Sequence, residues 1–344
     1  MMKKTVWLIL AIMAALALFA AGKKTASATE KPVNPSGAKL KYVEWDAHML
    51  GIDTPEKVAA LKQSVKRVPV IGLVGFSGIN TKILKKNVEY AYGPKQHRNM
   101  HDTCQISEVM QITRKVGFAV KVRVYLAKNH AEIAEAFRRA GKETDIVLTY
   151  FSYWRDTEPM AAAIAANPGT LYISPYVQVG KRPTNESLQS RGRHPAAGGG
   201  LRNFVTSLPL CRHKPGGKLM TPLHRNANDG ETVNFIAPSS YASGRGETCP
   251  SAGVTAVVAA YIAAASPEKV PAEKIIEIML RNASVPEERM LKLSDFDARS
   301  VQNLRSSLDA LTKPDSVGIR RLEAEGVLDL WNVHRDISGQ SPAR

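Results

Sequence analysis

The stretch Val68-Pro-Val-Ile-Gly-Leu-Val-Gly-Phe-Ser-Gly-Ile-Asn80 decides the fold. Its first nine residues form a short apolar run, and Ser77-Gly78 closes it with a turn signal, so it reads as a buried strand. Outward from it, apolar runs alternate with amphipathic stretches. His101–Gly117 is a predicted helix with Ile106, Val109, Met110 and Thr113 along one side. Val120–Ala127 reads as a strand, Ala131–Lys142 as a helix and Asp145–Ser152 as a strand. Met160–Ala166 follows as a helix and Leu171–Val179 as a strand. Such βαβ alternation predicts an α/β protein with a mostly parallel central sheet and helices on both faces. Functional groups in such sheets gather at the carboxyl ends of the strands.

Residues 180–232 break the rhythm with Gly198-Gly-Gly200, Lys214-Pro-Gly-Gly217 and many basic residues, and read as long basic loops around short strands. A strand at Val233–Ala237, a helix of small residues at Ser251–Ala265 and an amphipathic helix at Pro271–Asn282 complete the pattern. The 344 residues, 44% hydrophobic and 23% charged, suffice for one large domain with a sizeable core. The formal net charge of +16 favours contact with polyanions. Dispersed solubilising charge is the simpler reading, because no nucleic-acid motif accompanies it; no specific nucleic-acid partner is expected.

At the N-terminus, Lys3 and Lys4 precede an almost unbroken apolar run to Ala21, and Ala26-Ser-Ala28 supplies a small-x-small site. That order is the anatomy of a bacterial secretory signal peptide. An uncleaved anchor is the rival, since the run approaches spanning length; cleavage would leave no stable membrane span. The expected organisation is a signal peptide over 1–28, a flexible leader and N-terminal extension over 29–60, the folded domain over 61–338 and a tail over 339–344. Export to the periplasm or the extracellular space follows from that reading. Three cysteines, Cys104, Cys211 and Cys249, then allow at most one internal disulfide.

Three separated segments resemble the subtilisin-like serine proteases (subtilases), in the family's order. Gly72–Asn80, followed by Leu84-Lys-Lys-Asn-Val88, resembles the strand and turn written V-I-D-S-G-I-N and D-L-x-x-N-V. His101-Asp-Thr-Cys104 is similar to H-G-T-H at the start of a helix. Phe235-Ile-Ala-Pro238 and Gly246-Glu-Thr-Cys-Pro-Ser-Ala-Gly-Val254 are similar to A-P-G and G-T-S-M-A-S-P-H-V. Weaker echoes lie at Pro271–Leu280 and Gly326–Leu330. The resemblance covers residues 68–336 and implies a subtilisin-like fold.

It also implies a catalytic site that this sequence departs from. Matched residue on residue, Phe76 takes the aspartate position, and an alternative register through Val70-Ile71 puts Gly72 there; neither is a carboxylate. His101 matches the histidine, with Asp102 where glycine is usual. Thr248 takes the serine position, Cys249 follows it as an alternative nucleophile, and Ser251 matches the motif's second, structural serine. Gln178 falls at the oxyanion asparagine, and Tyr150-Phe-Ser152 replaces the S-L-G segment that pairs with substrate. Tyr153 and Trp154 add bulk there, either finishing a core strand or remodelling the groove.

A serine protease needs nucleophile, imidazole and orienting carboxylate together. The expectation is therefore a non-catalytic module that binds a peptide, a protein partner or an anionic envelope polymer. The alternative is a hydrolase with a rearranged His101–Thr248 or His101–Cys249 dyad. No carboxylate is expected at the outer nitrogen of His101. No cofactor is implied, and the residues neither indicate nor exclude a structural calcium. In the family the two helix starts pack together, which makes a Cys104–Cys249 disulfide an expectation, with Cys211 left free; two buried thiols are the alternative.

Overall fold

A parallel sheet grows outward from the strand read first. The computed structural model describes residues 46–47, 49–76, 79–80, 87–94, 100–150, 158–175, 201–212, 219–220, 233–238, 249–283 and 328–340. Strands β1 (Val70–Gly75), β2 (Val88–Tyr92), β3 (Lys121–Leu126), β4 (Ile146–Thr149), β5 (Leu171–Pro175) and β6 (Phe204–Arg212) lie in the order β2-β3-β1-β4-β5-β6. β8 (Val233–Pro238) runs parallel beside β6. The one antiparallel pairing among the described strands joins the end of β6 to β7 (Leu219–Met220). Strand β1 sits between β3 and β4, with Leu73 opposite Val124 and Leu148. The fold is α/β with a mostly parallel sheet, as the alternation of elements predicts.

Helices cover both faces. Along β1, Ile71 and Leu73 point into one apolar cluster, while Val74 points into the other. The first cluster lies under α2 (Met100–Lys115), α5 (Cys249–Ala264), α6 (Ala272–Asn282) and α7 (Leu330–Ile337). The second lies under α3 (His130–Glu143) and α4 (Glu158–Ala165). Every residue of α5 from Pro250 to Ala264 is buried. Its alanines and Gly253 let a helix pass through the middle of the layer where larger side chains would hold it off the sheet.

The folded core begins earlier in the chain than residue 61. Ala47, Leu50 and Ile52 are buried in the first cluster, and α1 (Pro55–Ser64) follows. Thr54 caps α1 by accepting the Lys57 amide, and Pro55 opens it without losing a hydrogen bond. The N-terminal run and Ala26-Ser-Ala28 lie outside the described residues, as do the tail residues from 341 and the glycine-rich basic loops. All described residues fall within one compact unit, Leu40–Arg344.

At the amino ends of the strands, Arg67 makes two hydrogen bonds to Asp145, at 2.9 and 2.8 Å, and a third to the Ser266 carbonyl at 3.2 Å. The same carboxylate accepts the Val70 amide at 2.8 Å, fixing where β1 starts beside β4. Lys269 adds bonds to the Thr144 carbonyl and the Thr170 hydroxyl at 2.9 and 2.8 Å. Burial lowers the Lys269 pKa from its ordinary value. The clamp ties the end of α5 to the sheet edge opposite the candidate site.

Candidate functional site

The carboxyl ends of β1 and β4 meet the first turns of α2 and α5. The alternation of β1 persists past the strand: Phe76 packs against the second cluster, on the α3–α4 side. Gly75 is turned the other way, toward α2, where a β-carbon would stand 3.2 Å from Asp102 Oδ2. Asp102 lies in the first turn of α2 and is 7% exposed. The phenylalanine aligned with the family's aspartate therefore faces away from the two site helices, and the position that faces them carries no side chain.

The turn after β1 is tied down from two sides. Tyr90 of β2 donates its hydroxyl to the Ile79 carbonyl at 2.7 Å and accepts the Ile79 amide at 2.8 Å. Thr103 of α2 accepts the Asn80 amide at 2.9 Å. The threonine of the His-Asp-Thr segment thus holds the chain leaving β1 against the start of α2.

Tyr150, directly after β4, reaches between the two helices. A β-carbon on Gly253 would stand 3.2 Å from its hydroxyl oxygen and 3.0 Å from Val109 Cγ2. Only glycine permits so close an approach of α5 to α2. Burial pushes the Tyr150 phenol well above its usual range, with smaller upward contributions from Glu108, Asp102 and Cys249. Tyr90 is also raised, chiefly by burial, with a contribution from Asp102. Two buried acids of α2, Asp102 and Glu108, thus act on one phenol.

The first turn of α5 presents two polar side chains, and both are engaged. Cys249, half-buried against the first cluster, donates its S–H to the Tyr150 carbonyl at 3.7 Å. Ser251 is fully buried and donates to the Ser207 carbonyl of β6 at 3.3 Å. Thr255, one turn on, donates to the Ser207 hydroxyl at 2.8 Å.

His101 is the second residue of α2, and its side chain lies outside the described residues. Thr248, immediately before α5, and Gln178, beyond β5, lie outside them entirely. So do Phe151, Ser152, Tyr153 and Trp154, while the side chain of Cys211 in β6 is not described. Both site helices nevertheless begin at one sheet edge: Asp102 touches the end of β1, and Cys249 touches the residue after β4. Among the described residues no group of three His, Cys, Asp or Glu residues is placed to hold a metal ion.

The expected Cys104–Cys249 disulfide is not formed. The helical phase explains why. Val109 faces Gly253 of α5, and Asp102, seven residues earlier, shares its side of α2. Cys104 is two residues past Asp102, about 200° further round the helix, and projects away from α5.

Sequence reading missed three contributors: Tyr90, Gly253 and the orientation of Gly75. The last was available from the strand's period, since Ile71, Leu73 and residue 75 share one face.

Two solved protease structures resemble this chain. Over 74% of this chain and 91% of its own, a lanthipeptide protease superimposes with a TM-score of 0.52 at 16% identity. The epidermin leader peptide processing serine protease (EpiP) of Staphylococcus aureus covers 92% of this chain and 84% of its own, with a TM-score of 0.50 at 12% identity. The fold is subtilisin-like. At such identities the likeness speaks for the fold alone. No protein-family model and no curated protein sequence matches the chain.

Proposed function

We propose that the chain is an exported, non-hydrolytic protein that uses a subtilisin-like scaffold to bind a peptide or protein partner, or an anionic envelope polymer, at the carboxyl edge of its sheet. One observation carries this reading. The thiol of Cys249, the nucleophile candidate whose position is described, is turned onto the Tyr150 carbonyl and packed against the core. A nucleophile has to present its reacting atom to a carbonyl carbon and a base at once. The buried Ser251, already bonded to β6, supports the same reading. The resemblance implies a site shaped for serine, in which the extra methyl of Thr248 would be a poor fit.

The net charge of +16 supports an anionic partner. The Met1–Ala28 pattern supports export, and no helix among the described residues is long and apolar enough to cross a membrane. The carboxyl edge of a mostly parallel sheet is where functional groups of such folds gather, which supports placing the binding surface there. Equilibrium binding of the purified protein to an acidic polysaccharide and to a peptide library, at low and high salt, tests the partner. The reading expects saturable binding without turnover of the bound peptide. Steady cleavage of library peptides, lost in His101→Ala, would replace it with the rearranged-dyad hydrolase.

A further inference from the structure

The end of β1 lacks a carboxylate, yet the space beside it holds one. Residue 75 is the position at that end whose side chain would point toward α2, and it is glycine. Among the described residues other than its chain neighbours, Asp102 Oδ2 is the one heavy atom within 4 Å of a β-carbon placed there, at 3.2 Å. Gly75 is absent from the glycines with positive φ, so its backbone accommodates any residue. What fills the volume of a side chain at 75 is a carboxylate arriving from the opposite wall.

We propose that Asp102 is the carboxylate of this site, carried on the first turn of α2 in place of one on the strand, and that Gly75 is the vacancy that admits it. Three features converge on this reading. An acid stands at 102 where the resembling motif has glycine, and neither Phe76, which takes the motif's aspartate position and faces the other cluster, nor Gly75, which faces α2, carries one. Asp102 is buried, although a solvated acid would serve helix α2 equally well by its charge near the N-terminus. Its field reaches both tyrosines that shape the site, Tyr90 of β2 and Tyr150 beyond β4. As a positioning residue, Asp102 joins the end of β1 to the start of α2, and the Thr103–Asn80 bond reinforces that junction one residue on. The inference is independent of whether the site hydrolyses anything.

Relocating the carboxylate tests it. Thermal melts of the purified full-length protein are compared for Gly75→Asp, Asp102→Ala, the double variant G75D/D102A, and the uncharged double variant G75N/D102A. Gly75→Asp sets two carboxylates against each other and Asp102→Ala leaves none, so each single change is expected to lower the midpoint by about 5 °C or more. G75D/D102A is expected to recover to within about 2 °C of the parent, and G75N/D102A to stay at least about 5 °C below it. Additive losses in G75D/D102A would show that a carboxylate on the strand does not replace the one at 102, and would overturn the proposal. Equal recovery by G75N/D102A would overturn it too, by showing that shape and not charge is at stake. If Gly75→Asp proves too unstable to purify, Gly75→Ala serves in its place: its loss should disappear in the Asp102→Ala background, and a loss that persists would contradict the proposal. Failure here leaves the binding reading untouched, because no melt reports turnover.

Discussion

The sulfur of Cys249 stands 3.7 Å from the carbonyl oxygen of Tyr150, so the first residue of α5 is fastened to the chain just beyond β4. A thiol is a weak donor, and the bond itself adds little. Its direction matters more, because it points the side chain toward the core. Iodoacetamide should therefore modify Cys249 at least about tenfold more slowly in the native protein than in denaturant, as local opening becomes necessary. Mass spectrometry of timed aliquots gives both rates, and equal rates would contradict the packing described.

Gly253→Ala tests the approach of α5 to α2. The added β-carbon would meet Val109 Cγ2 at 3.0 Å and the Tyr150 hydroxyl at 3.2 Å. Overpacking of this kind costs about 1–3 kcal/mol. The loss in a urea melt should shrink when Val109→Ala is added, because the smaller side chain returns the space.

Removing the clamp at the opposite edge should hurt stability and leave the site's chemistry alone. Asp145 accepts three hydrogen bonds, two from Arg67 and one from the Val70 amide. Asp145→Ala strands a largely buried guanidinium and an amide together, a loss of about 3 kcal/mol. Denaturant titration of the variant reads that loss directly.

Acid should weaken the fold through His334. This residue of α7 is 3% exposed, and its Nδ1 lies 2.7 Å from the Tyr261 hydroxyl of α5. Burial lowers its pKa below the ordinary histidine value. The unfolded chain therefore takes up a proton at a pH where the folded chain does not. Stability rises with pH across that window and falls as pH drops below the ordinary value of about 6.5, by up to about 1.4 kcal/mol per unit. Urea midpoints measured from pH 7.5 down to about pH 5 should show the fall, and His334→Gln should flatten it.

The sheet was legible in the sequence because its strands are short apolar runs bounded by turn residues: Val70–Gly75, Lys121–Leu126 and Ile146–Thr149 all fall inside the runs read first. β2 was not, since Val88–Tyr92 is an edge strand with alternating exposure and an acid, Glu89. Burial of Leu61 in α1 and of Leu50 was hidden as well, because a helix of modest amphipathicity next to a polar leader gives no periodic signal. Within the site, motif order located the two helix starts, whereas facing could not be read from motif matches. Phe76 aligns with an acid and yet faces the other cluster, and Cys104 lies one turn from His101 and yet projects away from α5. Direction in these cases is set by strand period and helix phase, which a residue-by-residue match ignores.

The central claim, a subtilisin-like scaffold without subtilisin-like turnover, is tested most directly by an activity-probe measurement. Purified protein is treated with a fluorophosphonate and, separately, with iodoacetamide, each with and without the His101→Ala change, and the adducts are mapped by mass spectrometry. The account predicts no fluorophosphonate adduct, and slow alkylation of Cys249 that His101→Ala leaves unchanged. A single adduct on Thr248, Cys249 or Ser251 that vanishes in His101→Ala would contradict it.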